Sequence, residues 1–145
     1  MMAGFRSPDK WNAVSFHCSD DPNHAPMTIN PLSEQIPFTT ADGSTIRSLL
    51  DRTNAPVGNQ SLAEACLPPG GATQRHFHRL SEEFYFLLEG GGIMEIEGEE
   101  RVVGPGDAIL IPPGAWHQIR SHADTGLRFL CCCAPPYAHD DTYFV

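Results

Sequence analysis

Basic residues are scarce in this chain. Nine Lys and Arg stand against 18 Asp and Glu in 145 residues, the formal net charge is −9, and no segment gathers a Lys/Arg cluster. A surface of that sign repels polyanions, so nucleic acid is not an expected partner. Long apolar runs are missing too. The longest fall far short of the roughly 20 residues needed to cross a bilayer, and Met1 to Lys10 lacks the basic stretch and apolar core of a secretory signal. These absences predict a soluble, cytoplasmic protein with no membrane partner. The five cysteines are an odd number, with three consecutive at Cys131, Cys132 and Cys133, which fits a reducing compartment better than a disulfide framework. No segment has helical periodicity and no internal repeat is apparent. Leu, Ile, Val and Phe make up only about 22% of residues, just above the composition of disordered chains, so a folded domain with a modest margin is expected.

What is present points to short strands. A chain of this length forms one domain and buries roughly 68–70% of its unfolded surface. Thirteen Gly and 13 Pro are scattered between apolar runs, as in a protein made of strands and turns. Residues 1–44 are rich in punctuation, including Ser7-Pro8, Asn30-Pro31 and Asp42-Gly43, and predict an extended N-terminal arm wrapped on the barrel. Strands are expected at Thr45–Leu50, Leu62–Leu67, Glu83–Glu89, Ile93–Glu97, Arg101–Val103, Ala108–Ile111, Trp116–Arg120 and Leu127–Cys133, separated by Pro- and Gly-bearing turns. This spacing predicts an all-β sandwich or barrel over residues 45–134. Residues 135–145 form a tail whose aromatic end, Tyr143-Phe144, is expected to pack on its own barrel or on a neighbour's.

Three histidines and a glutamate carry the candidate chemistry. His76-Phe77-His78 has i, i+2 spacing, which on a strand points both imidazoles to one face. Glu83 opens the next strand, and His117 follows the Pro112-Pro113-Gly114 turn. Imidazole nitrogen and carboxylate oxygen suit a mononuclear divalent Fe, Mn, Co, Ni or Zn. His17, His24, His122 and His139 have no partner at ligand spacing and read as solvated or hydrogen-bonded residues.

These residues sit in two patterns. Gly70, His76, His78, Glu83 and Gly90 reproduce G-x5-H-x-H-x(3,4)-E-x6-G. Gly106, Pro112, Gly114 and His117 reproduce G-x5-P-x-G-x2-H-x3-N, with Ser121 in place of the final Asn. Over about Pro68 to Cys133 the chain resembles the cupin superfamily in its small, single-domain form. The resemblance implies a double-stranded β-helix, that is, a jelly-roll barrel, with His76, His78, Glu83 and His117 as the ligands of one divalent transition metal. It also implies a homodimer.

Three imidazoles and a carboxylate around a divalent ion leave two open positions in an octahedral shell, where a small substrate can chelate. Such a site can polarise a carbonyl or bring O2 and substrate together. Three readings follow: an Fe-dependent oxygenase, which is favoured; a redox-neutral isomerase, epimerase, lyase or decarboxylase of a sugar or oxo acid; and a non-catalytic small-ligand binding module. Alternation turns Tyr85 inward with Glu83, and Gln74 inward with His76 and His78, so both are candidates to orient substrate or hold a ligand. Arg47 is the cation that could meet an anionic substrate, or else an edge-strand charge facing water. Trp116 is expected to pack beneath the site. Alternation places Phe129, Cys131 and Cys133 on one face and Leu130 and Cys132 on the other. The thiols then serve as buried small hydrophobes, or one of them lines the barrel near the metal.

Overall fold

The computed structural model describes residues 27–145. Along the chain lie β1 (Phe38–Thr39), β2 (Thr45–Leu50), β3 (Ser61–Leu67), β4 (His76–His78), β5 (Glu82–Gly90), β6 (Gly92–Ile96), β7 (Glu99–Val103), β8 (Ala108–Ile111), β9 (His117–Ser121), β10 (Leu127–Ala134) and β11 (Thr142–Phe144). Short 3-10 turns at Leu32–Glu34 and His139–Asp141 complete it. One sheet has the order β1-β2-β3-β10-β5-β8 and the other β11-β4-β9-β6-β7, with antiparallel pairing throughout. This is the all-β architecture expected from the strand spacing, and the jelly roll that the resemblance implies. Among the described residues, no helix is long and apolar enough to cross a membrane.

Period-two alternation sets the inside of the barrel. On β5, Glu83, Tyr85 and Leu87 are buried while Phe84 and Phe86 are exposed. On β9, His117, Ile119 and Ser121 are buried. Ala65, Leu67, Tyr85, Leu87, Met94, Ile111, Ile119, Leu127 and Phe129 form the core. The register of β10 against β5 shifts between Arg128 and Phe129, so that Arg128 faces Glu89 and Phe129 faces Leu87, with Leu88 as the extra residue. The extra residue lies on β5, and Leu127 and Phe129, two apart on β10, are both inward by ordinary alternation.

Gly90 closes β5 at φ +77°, where a Cβ would stand 1.8 Å from the carbonyl oxygen of Gly126. Only glycine lets the two backbones approach this closely. Ser121, where the second pattern has Asn, is buried and donates from Oγ to Pro68 O at 2.6 Å. It ties β9 to the loop ahead of β4.

The terminal segments join the sheets more fully than arms would. The expected arm over residues 1–44 lies partly outside the described residues. Within them, β1 pairs with β2 as an edge strand, and Asn30 Nδ2 donates to Leu49 O at 2.9 Å. The tail also becomes a strand: β11 pairs with β4 of its own barrel, Thr142 opposite His78 and Phe144 opposite His76.

Candidate metal centre

Three strands converge on one point. β4 delivers His76 and His78 from the same face, and β5 delivers Glu83 after the three-residue turn 79–81. The Pro112-Pro113-Gly114 turn sets His117 at the start of β9, directly opposite His76. All four side chains are buried, His117 completely. One donor atom from each lies within 4.8 Å of the others, so the group can hold a metal ion.

The donor atoms have the signature of a shared ligand. Glu83 Oε2 stands 3.3 Å from His117 Nε2 and 3.4 Å from His78 Nε2. Glu83 Oε2 and His117 Nε2 are nonetheless buried without a hydrogen-bond partner. Orphaned polar atoms in a protein interior are costly and call for an explanation. A divalent ion that binds nitrogen and oxygen at about 2.0–2.2 Å would satisfy both at once.

The far side of each imidazole is occupied. His76 Nδ1 meets Gln74 O at 2.7 Å, His117 Nδ1 meets Ala115 O at 3.0 Å, and His78 Nδ1 meets Thr142 Oγ1 at 3.1 Å. A carbonyl only accepts, so His76 and His117 carry their protons on Nδ1 and turn the Nε2 lone pair to the centre. Glu83 is held in the same way: Cys133 Sγ donates to its Oε1 at 3.4 Å, leaving Oε2 to face the histidines. Burial alone would raise the Glu83 carboxyl, but His117 and His78 outweigh it and hold the group well below the usual carboxylate range. Burial, then the neighbouring His117, pull His76 below its ordinary value, so it is neutral near pH 7. Glu83 therefore presents a carboxylate, and His76 and His117 turn Nε2 lone pairs to the centre.

A cavity of about 90 Å³ adjoins these side chains. Ile46, Ala65, Phe129 and Phe144 supply apolar walls, and Thr40, Asp42 and Ser44 of the β1–β2 hairpin line its rim. Tyr85 also lines it, with its ring 4.7 Å from Phe129 and 6.2 Å from His117. Burial, then the Glu83 charge, push the Tyr85 phenol well above its usual value, so it stays protonated. Cys131 and Cys133 face the cavity with Phe129, as the strand parity requires.

Other residues fall elsewhere. Arg47 does not reach the cavity: Ile46 and Ser48 point in, while its guanidinium on the opposite face pairs with Glu64 at 3.0 Å. The glutamate neutralises the cation that substrate was expected to meet. The Gln74 side chain is exposed and donates from Nε2 to Val145 O at 3.3 Å; its backbone carbonyl orients His76. Trp116 does not underlie the site. It faces outward against Phe77, ring centroids 4.7 Å apart, beneath Arg75. His122 and His139 are exposed, and His17 and His24 lie outside the described residues. Thr142 and the thiol contact to Glu83 carry no sequence pattern of their own.

Comparison with known proteins agrees with this geometry. The model of the cupin domain matches residues 63–133. An uncharacterised protein of Methanocaldococcus jannaschii is 46% identical over 106 residues, 73% of this chain and 85% of that protein. Dimethylsulfoniopropionate lyase DddW of Ruegeria pomeroyi is 32% identical over 122 residues, 81% of this chain and 78% of the lyase. Among solved structures, the polyketide cyclase RemF of Streptomyces resistomycificus superposes with a TM-score of 0.67 at 26% identity, over 79% of this chain and 89% of the cyclase. With the barrel, the four-residue centre and these relatives in agreement, the chain belongs to the cupin family.

Proposed function

We propose that this chain is a mononuclear metal-dependent enzyme that acts on a small chelating molecule by redox-neutral chemistry of the lyase, decarboxylase or isomerase kind. The observation that carries the reading is the pair of orphaned buried atoms, Glu83 Oε2 and His117 Nε2, set among imidazoles whose outer nitrogens are already engaged. Fe, Mn, Ni, Co and Zn all suit this donor set. A bound metal would supply Lewis acidity, polarising a substrate oxygen.

The chain's own residues do the rest. Phe129, Ile46 and Phe144 exclude water from one wall of the cavity. Tyr85, kept as a neutral phenol, is placed to donate a hydrogen bond to a substrate oxygen. The lyase and the cyclase among the relatives shift the preference away from the O2-activating reading that the sequence suggested. Turnover of a panel of small oxo acids, hydroxy acids and sulfonium acids with metal-loaded protein, in air and under argon, tests this. Product formed equally in both supports the redox-neutral reading. O2 consumption stoichiometric with product would restore the oxygenase, and ligand binding without turnover would leave a binding module. Tyr85→Phe should retain metal and lose turnover.

We also propose a homodimer. Phe84 and Leu110 pair across β5 and β8 on the outer face of the sheet, exposed by 48% and 52%, with Phe86 beside them. An exposed apolar patch of this kind marks an association surface, and a second copy of the chain is the proposed occupant. Leu110→Glu should convert dimer to monomer in light scattering.

A further inference from the structure

Besides Phe144, whose ring lies 5.6 Å from that of His76, three residues of the segment after β10 contact the metal centre or the turn that serves it, although the segment lies beyond residues 63–133, where the family pattern matches. The first is Thr142. Opposite His78 across β11 and β4, its Oγ1 lies 3.1 Å from His78 Nδ1 and 3.3 Å from Ala138 O. The Ala138 carbonyl accepts the Thr142 hydroxyl proton, which leaves Oγ1 free to accept from His78 Nδ1–H. The second is Asp141, itself buried. Its carboxylate accepts from Leu80 N at 3.0 Å and Ser81 N at 3.0 Å, and its carbonyl accepts from Arg79 N at 3.1 Å. Those amides belong to the turn that joins His78 to Glu83. The third is Tyr137, whose ring stands edge-on to His78 at 5.9 Å.

We infer that this C-terminal segment is a working part of the metal site, and that Thr142 is a positioning residue which fixes His78 in the tautomer that can bind metal. The inference rests on the metal-enzyme reading above. His76 and His117 take their orientation from backbone carbonyls, which no side-chain substitution removes. His78 takes its orientation from a side chain borrowed from the far end of the chain. Without that acceptor, the His78 proton is free to move to Nε2, where it blocks coordination, and the Nδ1 side is left buried and unpaired.

The test titrates the full chain with Co2+ against a competing chelator at fixed pH, comparing wild type, Thr142→Val and Thr142→Ser. Loss of an outer hydrogen bond to a ligating histidine weakens metal binding by about 10–100-fold. That loss is expected for T142V, with affinity restored in T142S and the metal-free melting temperature of both close to wild type. T142V binding Co2+ as tightly as wild type, or T142S binding as weakly as T142V, would overturn the inference. Folded wild type that takes up no Co2+ would overturn the metal reading, and this inference with it. Should T142V fail to fold, the nitrogen-15 shifts of His78 in metal-free wild type, read at a pH high enough that the ring carries a single proton, decide: the Nδ1–H tautomer supports the inference and the Nε2–H tautomer refutes it.

Discussion

Arg47→Met should leave metal and ligand binding intact and lower stability. Glu64 is 1% exposed, and its two oxygens receive Arg47 Nη1 at 3.0 Å and Arg128 Nη1 at 2.8 Å. Stripping a buried carboxylate of its only cation costs about 3–5 kcal/mol. Here each arginine leaves the other in place, so R47M and R128M should each cost about 1–2 kcal/mol, below the ~1.5–3 kcal/mol of a hydrogen bond to a charged group because the arginines are 39% and 33% exposed and their charge is screened. Arg128 also pairs with Glu89, but that carboxylate is 68% exposed and the pair adds little. The double variant strands Glu64 and should cost the full ~3–5 kcal/mol, at or above the sum of the singles. Adding Glu64→Leu should recover most of that loss, because it removes the stranded buried carboxylate and leaves an apolar side chain in its place. Urea denaturation gives the stabilities and chelator competition gives metal affinity. If R47M lost ligand or metal while remaining as stable as wild type, or if E64L gave no recovery, the assignment of Arg47 to a structural ion network would be wrong.

Gly90→Ala places a Cβ 1.8 Å from Gly126 O at φ +77°. The left-handed backbone alone costs about 1–2 kcal/mol, and parting β5 from β10 adds more, so melting should fall sharply; a melting temperature near wild type would refute the close approach. Metal binding should tighten as pH rises through and above 6.5. Burial lowers His78, but Glu83 more than compensates and holds it protonated to higher pH than usual, so a metal must displace that proton. Calorimetry in buffers of different ionisation heat should show proton release, and a binding constant unchanged from pH 6 to 8 would contradict it. Burial, then the Glu83 charge, push the Cys133 and Cys131 thiols far above their usual value, whereas Cys132 lies on the outer face. Alkylation near pH 8 followed by peptide mapping should therefore label Cys132 before its two neighbours; equal labelling would place those thiols outside the barrel.

The ligands were legible because two constraints coincide. Period-two alternation fixes which face His76, His78, Glu83 and Tyr85 share, and the glycine and proline turns fix where the strands begin. The same alternation failed at Arg47, because Thr45–Leu50 has apolar residues at 46, 49 and 50 and so names no inner face. It failed at Gln74 because the strand parity does not extend back through the loop from Gly71, whose one ladder contact is an isolated bridge from Ala72 to Arg120. Trp116 lies one residue from the inward His117, and parity alone would have turned it outward. β1 and β11 have two and three residues, too few to show a period. Thr142 is 64 residues from His78, and nothing local to either residue announces their pairing.

The proposed function stands on one divalent metal held by His76, His78, Glu83 and His117. Elemental mass spectrometry of untagged protein purified without chelator tests it most directly, with His117→Ala measured alongside. About one transition-metal ion per wild-type chain and almost none in H117A are expected, with the β-sheet circular dichroism of both unchanged. Full metal content in H117A, or none in wild type even after reconstitution, would contradict it.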